Sequence, residues 1–207
     1  MTAEKEVIKD GIHEYYYKNE YSHQLKWRGN YKDGLKDGLV EIFHWEKGQL
    51  IRRENWKQGR EDGVWEEFNK ETGQLTNRGN FVDGKQQDFE WFNETGQLEI
   101  RGYFKDDEQD GLWEYFAENG QIAYQGTFKN GKEDGLWEGY YENGQLLYTG
   151  NMKNGEADGL FEWFHENGQL QRRGEHKNGK LDGLWEYFDR DGNLTETIEF
   201  KNGLKKR

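Results

Sequence analysis

The amino-acid sequence predicts an all-β chain, an antiparallel β-meander built of about eight 24-residue hairpin units. Three observations carry that expectation. A seven-residue motif recurs along the chain, Asn-Gly and Asp-Gly pairs punctuate it, and there is no proline among the 207 residues. Bulk composition points elsewhere. Leu, Ile, Val and Phe together make up less than a fifth of the chain, and 41 acidic against 29 basic residues leave a net charge of −12. Such a chain reads as disordered, because it has little aliphatic surface to offset the entropy of folding. Its aromatic content of 16% reads the other way, since disordered chains are poor in rings.

The repeat decides between them. Asp110-Gly111-Leu112-Trp113-Glu114-Tyr115-Phe116 returns as Asp134-Gly135-Leu136-Trp137-Glu138-Gly139-Tyr140, and again from Asp158 and Asp182. Weaker copies begin at Asp10, Asp37, Asp62 and, with Gln86-Gln87 in place of Asp-Gly, at Gln86. From Asp62 onward the starts lie 24 residues apart. The eight units fill residues 1–207 as a single repeat domain. Stacked repeats need capping ends, and residues 1–36 and 182–207 are the atypical units that would supply them.

Each unit holds two strand-like runs and two turns. In the fifth, the runs are Leu112 to Ala117 and Ile122 to Lys129, followed by Asn119-Gly120 and Asn130-Gly131 respectively. Asn-Gly between such runs favours a two-residue type I′ turn, which needs φ > 0 at both positions. The missing proline suits a backbone whose N–H groups are nearly all used in ladders. A two-residue loop at Asn119-Gly120 pairs Ala117 with Ile122, Tyr115 with Tyr124 and Trp113 with Gly126. The same loop at Asn130-Gly131 pairs Phe128 with Glu133, Gly126 with Gly135 and Tyr124 with Trp137. Paired residues share a face, and both turns give the same faces.

One face then carries Trp113, Tyr115, Ile122, Tyr124, Gly126 and Phe128. A Trp laid across a Gly covers backbone that the Gly leaves bare. The glycine column reads Gly29, Gly79, Gly102, Gly126, Gly150 and Gly174, broken by Glu54 and Ile198. The ring column holds Trp65, Phe89, Trp113, Trp137, Phe161 and Trp185. On the opposite face every unit has a glutamate, from Glu14 through Glu114 and Glu138 to Glu186. Arg28, Arg53, Arg78, Arg101 and Arg173 stand in the column facing five of them. Eight aligned carboxylates resemble an active-site stripe, but the arginines opposite make them a structural ladder. Trp113, Gly126, Phe128, Trp137, Gly150, Glu114 and Glu138 are the expected structural residues.

The runs Arg101-Gly102-Tyr103-Phe104 and Tyr124-Gln125-Gly126-Thr127-Phe128-Lys129-Asn130-Gly131-Lys132, continuing through Asp134 to Glu138, resemble the MORN repeat in its bacterial variant form. Arrays of this variant are similar to the YwqK-type family of toxin–antitoxin-system antitoxins. The resemblance implies a single-layer antiparallel sheet, elongated, twisted and curled like a gutter, with rings stacked between units. Sixteen strands of about 6–7 residues would build it. It also implies a scaffold, a lipid- or membrane-associated module, or an antitoxin.

Chemistry is sparse. The five histidines show no metal-ligand spacing. Gly126 to Lys132 fits the spacing of a phosphate loop, as do Gly79 to Lys85 and Gly174 to Lys180, but a phosphate loop needs a helix N-terminus after it and hairpins follow here. Asp106-Asp107-Glu108-Gln109-Asp110 lacks the alternating ligands of a Ca²⁺ loop. No catalytic residue, cofactor or metal site is therefore expected, and the chain reads as a non-enzyme. Excess acid disfavours nucleic acid and anionic membrane, and permits a basic protein partner. No apolar run reaches the length of a membrane span, and no signal peptide is visible at the start, so a cytoplasmic location is expected.

A binding site is sought where units depart from consensus. Departures gather in the first four units and include Tyr16, Trp27, Trp45 and Trp56. These rings are interface-type residues, and Asp106 and Asp107 add an electronegative turn. The functional expectation is a protein-binding antitoxin or immunity-type inhibitor of a basic toxin. The alternative is a structural scaffold or membrane-associated adaptor, and end strands could also associate end to end.

Overall fold

The computed structural model describes residues 8–17 and 24–206. The first seven residues, the insertion Lys18 to His23 of the first repeat, and Arg207 of the basic tail lie outside the described residues. Every regular element described is a strand, and each pairs antiparallel with the strand next to it in sequence or, where that strand is interrupted, with both of its pieces, an all-β meander. The chain forms two compact units, Met1–Gln97 and Leu98–Arg207. The division falls at the turn inside the fourth repeat.

Unit 1 contains β1 (Gly11–Tyr16), β2 (Leu25–Lys32), β3 (Leu35–Phe43), β4 (Leu50–Lys57), β5 (Arg60–Glu61), β6 (Gly63–Phe68), β7 (Leu75–Val82) and β8 (Lys85–Phe92). Unit 2 contains β9 (Leu98–Lys105), β10 (Glu108–Phe116), β11 (Ile122–Lys129), β12 (Lys132–Tyr140), β13 (Leu146–Lys153), β14 (Glu156–Phe164), β15 (Leu170–Lys177), β16 (Lys180–Phe188), β17 (Leu194–Lys201) and β18 (Leu204–Lys205). The count is 18 rather than sixteen, because one strand of the third repeat is interrupted between β5 and β6 and a short β18 closes the chain. Most strands have 8 or 9 residues, longer than expected.

The two Asn-Gly turns differ. Asn130 and Gly131 both have φ > 0, at 50° and 72°, the type I′ turn expected. At the other turn only Gly120 is left-handed, with φ 80°. There Ala117 N–H donates to Gln121 O and Gly120 N–H to Ala117 O, so Glu118, Asn119 and Gly120 form a three-residue loop. Ile122 therefore pairs with Phe116, not Ala117. The Asn119 amide is left to donate to Glu142 O of the next repeat, and Asn167 does the same to Arg190 O.

A second correction concerns β11 and β12. Phe128 pairs with Glu133, but an irregularity then shifts the register, and Gly126 pairs with Trp137 and Tyr124 with Gly139. Gly135, expected opposite Gly126, sits at φ 110° in a bulge that the ladder passes over. The shift is by two residues, so the faces are unchanged. It does change which glycine each ring covers. Trp113, Trp137, Phe161 and Trp185 lie over Gly102, Gly126, Gly150 and Gly174 of the preceding strand. A Cβ added at Gly126 would meet Trp137 Cδ2 at 2.1 Å. These four rings are the buried apolar side chains of unit 2, with Trp185 only 2% exposed. Phe128 packs edge-on between Trp113 and Trp137, at 5.8 and 5.4 Å.

The opposite face carries the carboxylate ladder. In unit 1, Arg53 bridges Glu41 at 3.6 Å and Glu66 at 3.0 Å, and Arg78 bridges Glu66 and Glu90 at 3.5 Å each. Each arginine is thus shared between two strands rather than matched to one glutamate. In unit 2, Arg101 holds Glu114 at 2.7 Å, whereas Glu138 accepts from the Gln125 amide at 2.8 Å and the Tyr140 hydroxyl at 2.9 Å. The guanidinium groups also lie over Phe43, Phe68, Phe116 and Phe188, which hides part of those rings from water.

Candidate functional site

The residues singled out for partner binding are spread over different surfaces. Trp27 lies on the ring face of unit 1, where it stacks on Tyr15 with centroids 4.4 Å apart. Tyr16 points to the ladder face, and its hydroxyl donates to Glu14 at 2.6 Å. That hydrogen bond to a carboxylate raises the pKa of the phenol above its ordinary value. Trp45 projects from the turn after β3, 53% exposed, with the His44 ring beside it at 6.0 Å. Asp106 and Asp107 are in unit 2 and occupy both left-handed corners of the β9–β10 turn, with φ 52° and 65°.

Trp56 belongs to something that its own position in the sequence does not announce. In the glycine column, β4 carries Glu54 instead, and that carboxylate is 4% exposed on the ring face. It accepts the Trp56 indole N–H at 2.9 Å and pairs with Arg52 at 3.3 Å and Lys36 at 3.8 Å. Arg52 also donates to Glu67 at 2.6 Å, and Glu67 accepts from Asn77 at 2.9 Å. The ammonium of Lys36 lies over the Trp56 ring at 3.9 Å, and the guanidinium of Arg52 over Trp65 at 5.5 Å. Glu61, on the same face opposite Trp56, has its pKa raised by burial and then by the charge of Glu54. Five strands supply this network, from β3 to β7, and only cross-strand pairing brings it together. The signal in the sequence was Glu54 in the column that holds glycine in six repeats.

A row of apolar side chains on the ladder face was also not singled out. Leu112, Leu136, Leu160 and Leu184 stand on alternate strands of unit 2, between 39% and 55% exposed. Open clefts accompany these surfaces. One of about 310 Å³ lies between successive turns, lined by Asn143, His165, Glu166, Asn167 and Arg190. Another of about 390 Å³ lies on the ring face of unit 2. Among the described residues no three His, Cys, Asp or Glu side chains come together as a metal site. These surfaces present ring faces, half-buried cations and paired carboxylates.

A family model described as a MORN repeat variant matches residues 88–106, 109–130, 133–154, 157–178 and 181–202, together more than half of the chain. No curated protein matches the chain. Among solved structures, a point mutant of S. aureus TarM in complex with Fondaparinux, alpha-GlcNAc-glycerol and UDP is similar at 16% identity, with a TM-score of 0.35. A second crystal structure of TarM is similar at 16% identity, with a TM-score of 0.34. In both, the match covers 46% of this chain and 19% of the TarM chain.

Proposed function

Since the chain belongs to the MORN repeat variant family, we propose that it is a non-enzymatic repeat scaffold that binds one basic protein and inhibits it, an antitoxin or immunity role. The observation that carries the reading is the ring face of unit 1. It joins exposed or half-covered rings at Tyr15, Trp27 and Trp56 to the Glu54 network. Aromatic anchors beside fixed charges are what protein interfaces use for affinity and register. The net charge of −12 adds long-range attraction for a cationic partner. A lipid-bound adaptor is less favoured, because Lys201, Lys205 and Lys206 near the C-terminus pair with Asp182, Glu196 and Glu199.

The test is affinity capture on the full chain from the source cell at moderate salt, with identification of what is retained. Retention of one basic protein, whose activity the purified chain suppresses, supports the reading. Failure to retain any protein, or strong co-sedimentation with anionic vesicles instead, overturns it.

A further inference from the structure

The ring face of unit 2 holds a niche assembled from four strands. Tyr124 comes from β11, Glu133 and Trp137 from β12, Tyr148 and Met152 from β13, and Phe161 from β14. Its volume of about 390 Å³ is at the small end of ligand sites, which run from about 300 to 1,000 Å³. Gly139 shapes it. This position carries Tyr115 in the repeat before and Trp163 in the repeat after, and with no side chain there Tyr148 lies against the backbone. A Cβ on Gly139 would be 2.2 Å from Tyr148 Cε1. Tyr124 is held upright by stacking on Tyr115, with centroids 4.3 Å apart, and stays 41% exposed at the rim.

The charge of the niche is what identifies its occupant. Glu133 pairs across the ladder with Phe128, so its carboxylate stands on the ring face. Among the described residues it makes no ion pair, unlike Glu41, Glu66, Glu90, Glu114 and Glu186 of the ladder. Burial, then the Tyr124 hydroxyl, then the charge of Glu133 raise the pKa values of Tyr115 and Tyr148, so the phenols stay neutral. Trp137 is 8% exposed, and its indole N–H has no acceptor, whereas Trp113 and Trp185 donate theirs to backbone carbonyls of the preceding strand. Ring faces around one unpaired carboxylate form a cation site.

Other repeats of the same chain show which cation. The column that holds Tyr124 and Tyr148 holds Arg52 and Arg172 in other repeats. Arg172 lies over the Trp163 ring at 4.3 Å, and Arg52 lies over Trp65 while pairing with Glu54 and Glu67. Where the chain has its own arginine in this column, a ring receives it, and at Arg52 two carboxylates do as well. At Tyr124 and Tyr148 rings line the site, Glu133 supplies a carboxylate from a different column, and there is no arginine. We propose that the niche formed by Tyr124, Glu133, Trp137, Tyr148 and Phe161 binds an arginine side chain presented by a basic protein partner. A guanidinium stacks flat on rings and forks onto a carboxylate, which an ammonium does less well. That the arginine comes from a protein rests on the function proposed above; the niche itself does not.

The experiment titrates the ¹⁵N-labelled full chain with N-acetyl-arginine amide and, separately, with its neutral isostere N-acetyl-citrulline amide. The readout is the Trp137 indole N–H resonance, assigned through W137F. The proposal expects a saturable shift with the arginine probe, binding about tenfold tighter than citrulline. Glu133→Gln should remove most of that preference while leaving the strand resonances in place. Gly139→Ala should weaken binding through Tyr148. Equal binding of the two probes, or a preference that survives Glu133→Gln, overturns the cation site, as does the absence of any saturable shift. Capture of the partner by wild type and by E133Q separates the two proposals. A basic partner retained equally by both sinks the niche and leaves the protein-binding reading standing. An arginine-selective niche in a chain that captures no protein does the reverse.

Discussion

Gly126→Ala tests the packing that the fold depends on most directly. The added methyl would sit 2.1 Å from Trp137 Cδ2 and 2.2 Å from Cε2. Carbon atoms rest at about 3.5–4.0 Å, so the indole must retreat by roughly 1.5 Å or swing away. The ring is rigid and has no flexible end to give. A Trp buries about 150–250 Å². Losing the contact under one face exposes roughly 100 Å², which at about 25 cal/mol per Å² costs about 2.5 kcal/mol. Alanine in a strand recovers about 0.5–1 kcal/mol of the glycine's backbone entropy, leaving a net loss of about 1.5–2 kcal/mol. Gly79→Ala is the matched control. Its methyl would meet Asp88 O at 3.0 Å and the flexible Gln86 amide at 3.3 Å, with no stacked ring beneath, so it should fall within about 0.5–1 kcal/mol of wild type. Urea unfolding followed by circular dichroism gives the midpoints. A repeat chain need not unfold in one step, so hydrogen exchange at the amides of β11 and β12 localises the loss. A Gly126→Ala midpoint equal to wild type, or equal damage from Gly79→Ala, would refute the ring-on-glycine argument.

Three further outcomes are expected. Glu54→Gln removes the charge that Arg52 and Lys36 share on the ring face and should cost about 1–3 kcal/mol in urea unfolding, whereas an unchanged midpoint would make that network inert. Asp107→Gly replaces a left-handed aspartate, φ 65°, with the residue that takes that conformation freely, and should raise the unfolding free energy from the same urea curves by up to about 1 kcal/mol. His176, packed among Phe161, Trp163 and Trp185 with its Nδ1 buried and unpartnered, has its pKa lowered first by burial and then by the charge of Arg172. As pH falls below the ordinary value of 6.5, the unfolded chain takes up a proton that folded His176 resists. Stability from this group is therefore complete above that pH and declines below it. His176→Phe should flatten that part of the stability profile, and an unchanged acid slope would exclude His176 as its source.

The fold was legible because one motif states it repeatedly. The spacing of the Trp, Glu and Gly columns marks strands and faces, and the pairings Trp113–Gly126, Tyr115–Tyr124 and Glu114–Gln125 follow from it. Turn detail was not legible, since the same Asn-Gly dipeptide closes a two-residue turn at Asn130 and a three-residue loop at Asn119. The dipeptide permits the left-handed corner, while the lengths of the flanking strands decide how many residues turn. Gly135 was read as a face residue because alternation has no symbol for a bulge. The Glu54 network was half visible. Lys36, Arg52, Glu54 and Glu67 are separated along the chain and meet only through the register of three strands.

The two units are stabilised by different means, and salt separates them. In unit 2, four consecutive glycines lie under rings, and threonine or glutamine replaces arginine at Gln125, Thr149 and Thr197 of the ladder. In unit 1, Gly29 meets Val40 first and the edge of Trp27 at 3.5 Å, Glu54 replaces a glycine, and Gly79 has no stacked ring. There the arginines at 28, 53 and 78 link Glu41, Glu66 and Glu90 into one chain of ion pairs. A single exposed pair is worth about 0–1 kcal/mol, but shared charges with half-buried carboxylates gain more, and Glu41 is only 6% exposed. At 1 M salt the screening length falls to about 3 Å, while burial of rings against backbone is unaffected by screening. Hydrogen exchange with increasing sodium chloride should therefore accelerate at β2, β3, β4 and β7 before it changes at β11 to β14. Uniform acceleration across both units, or earlier loss in unit 2, would mean that the arginine ladder contributes register alone and that rings stabilise unit 1 as well.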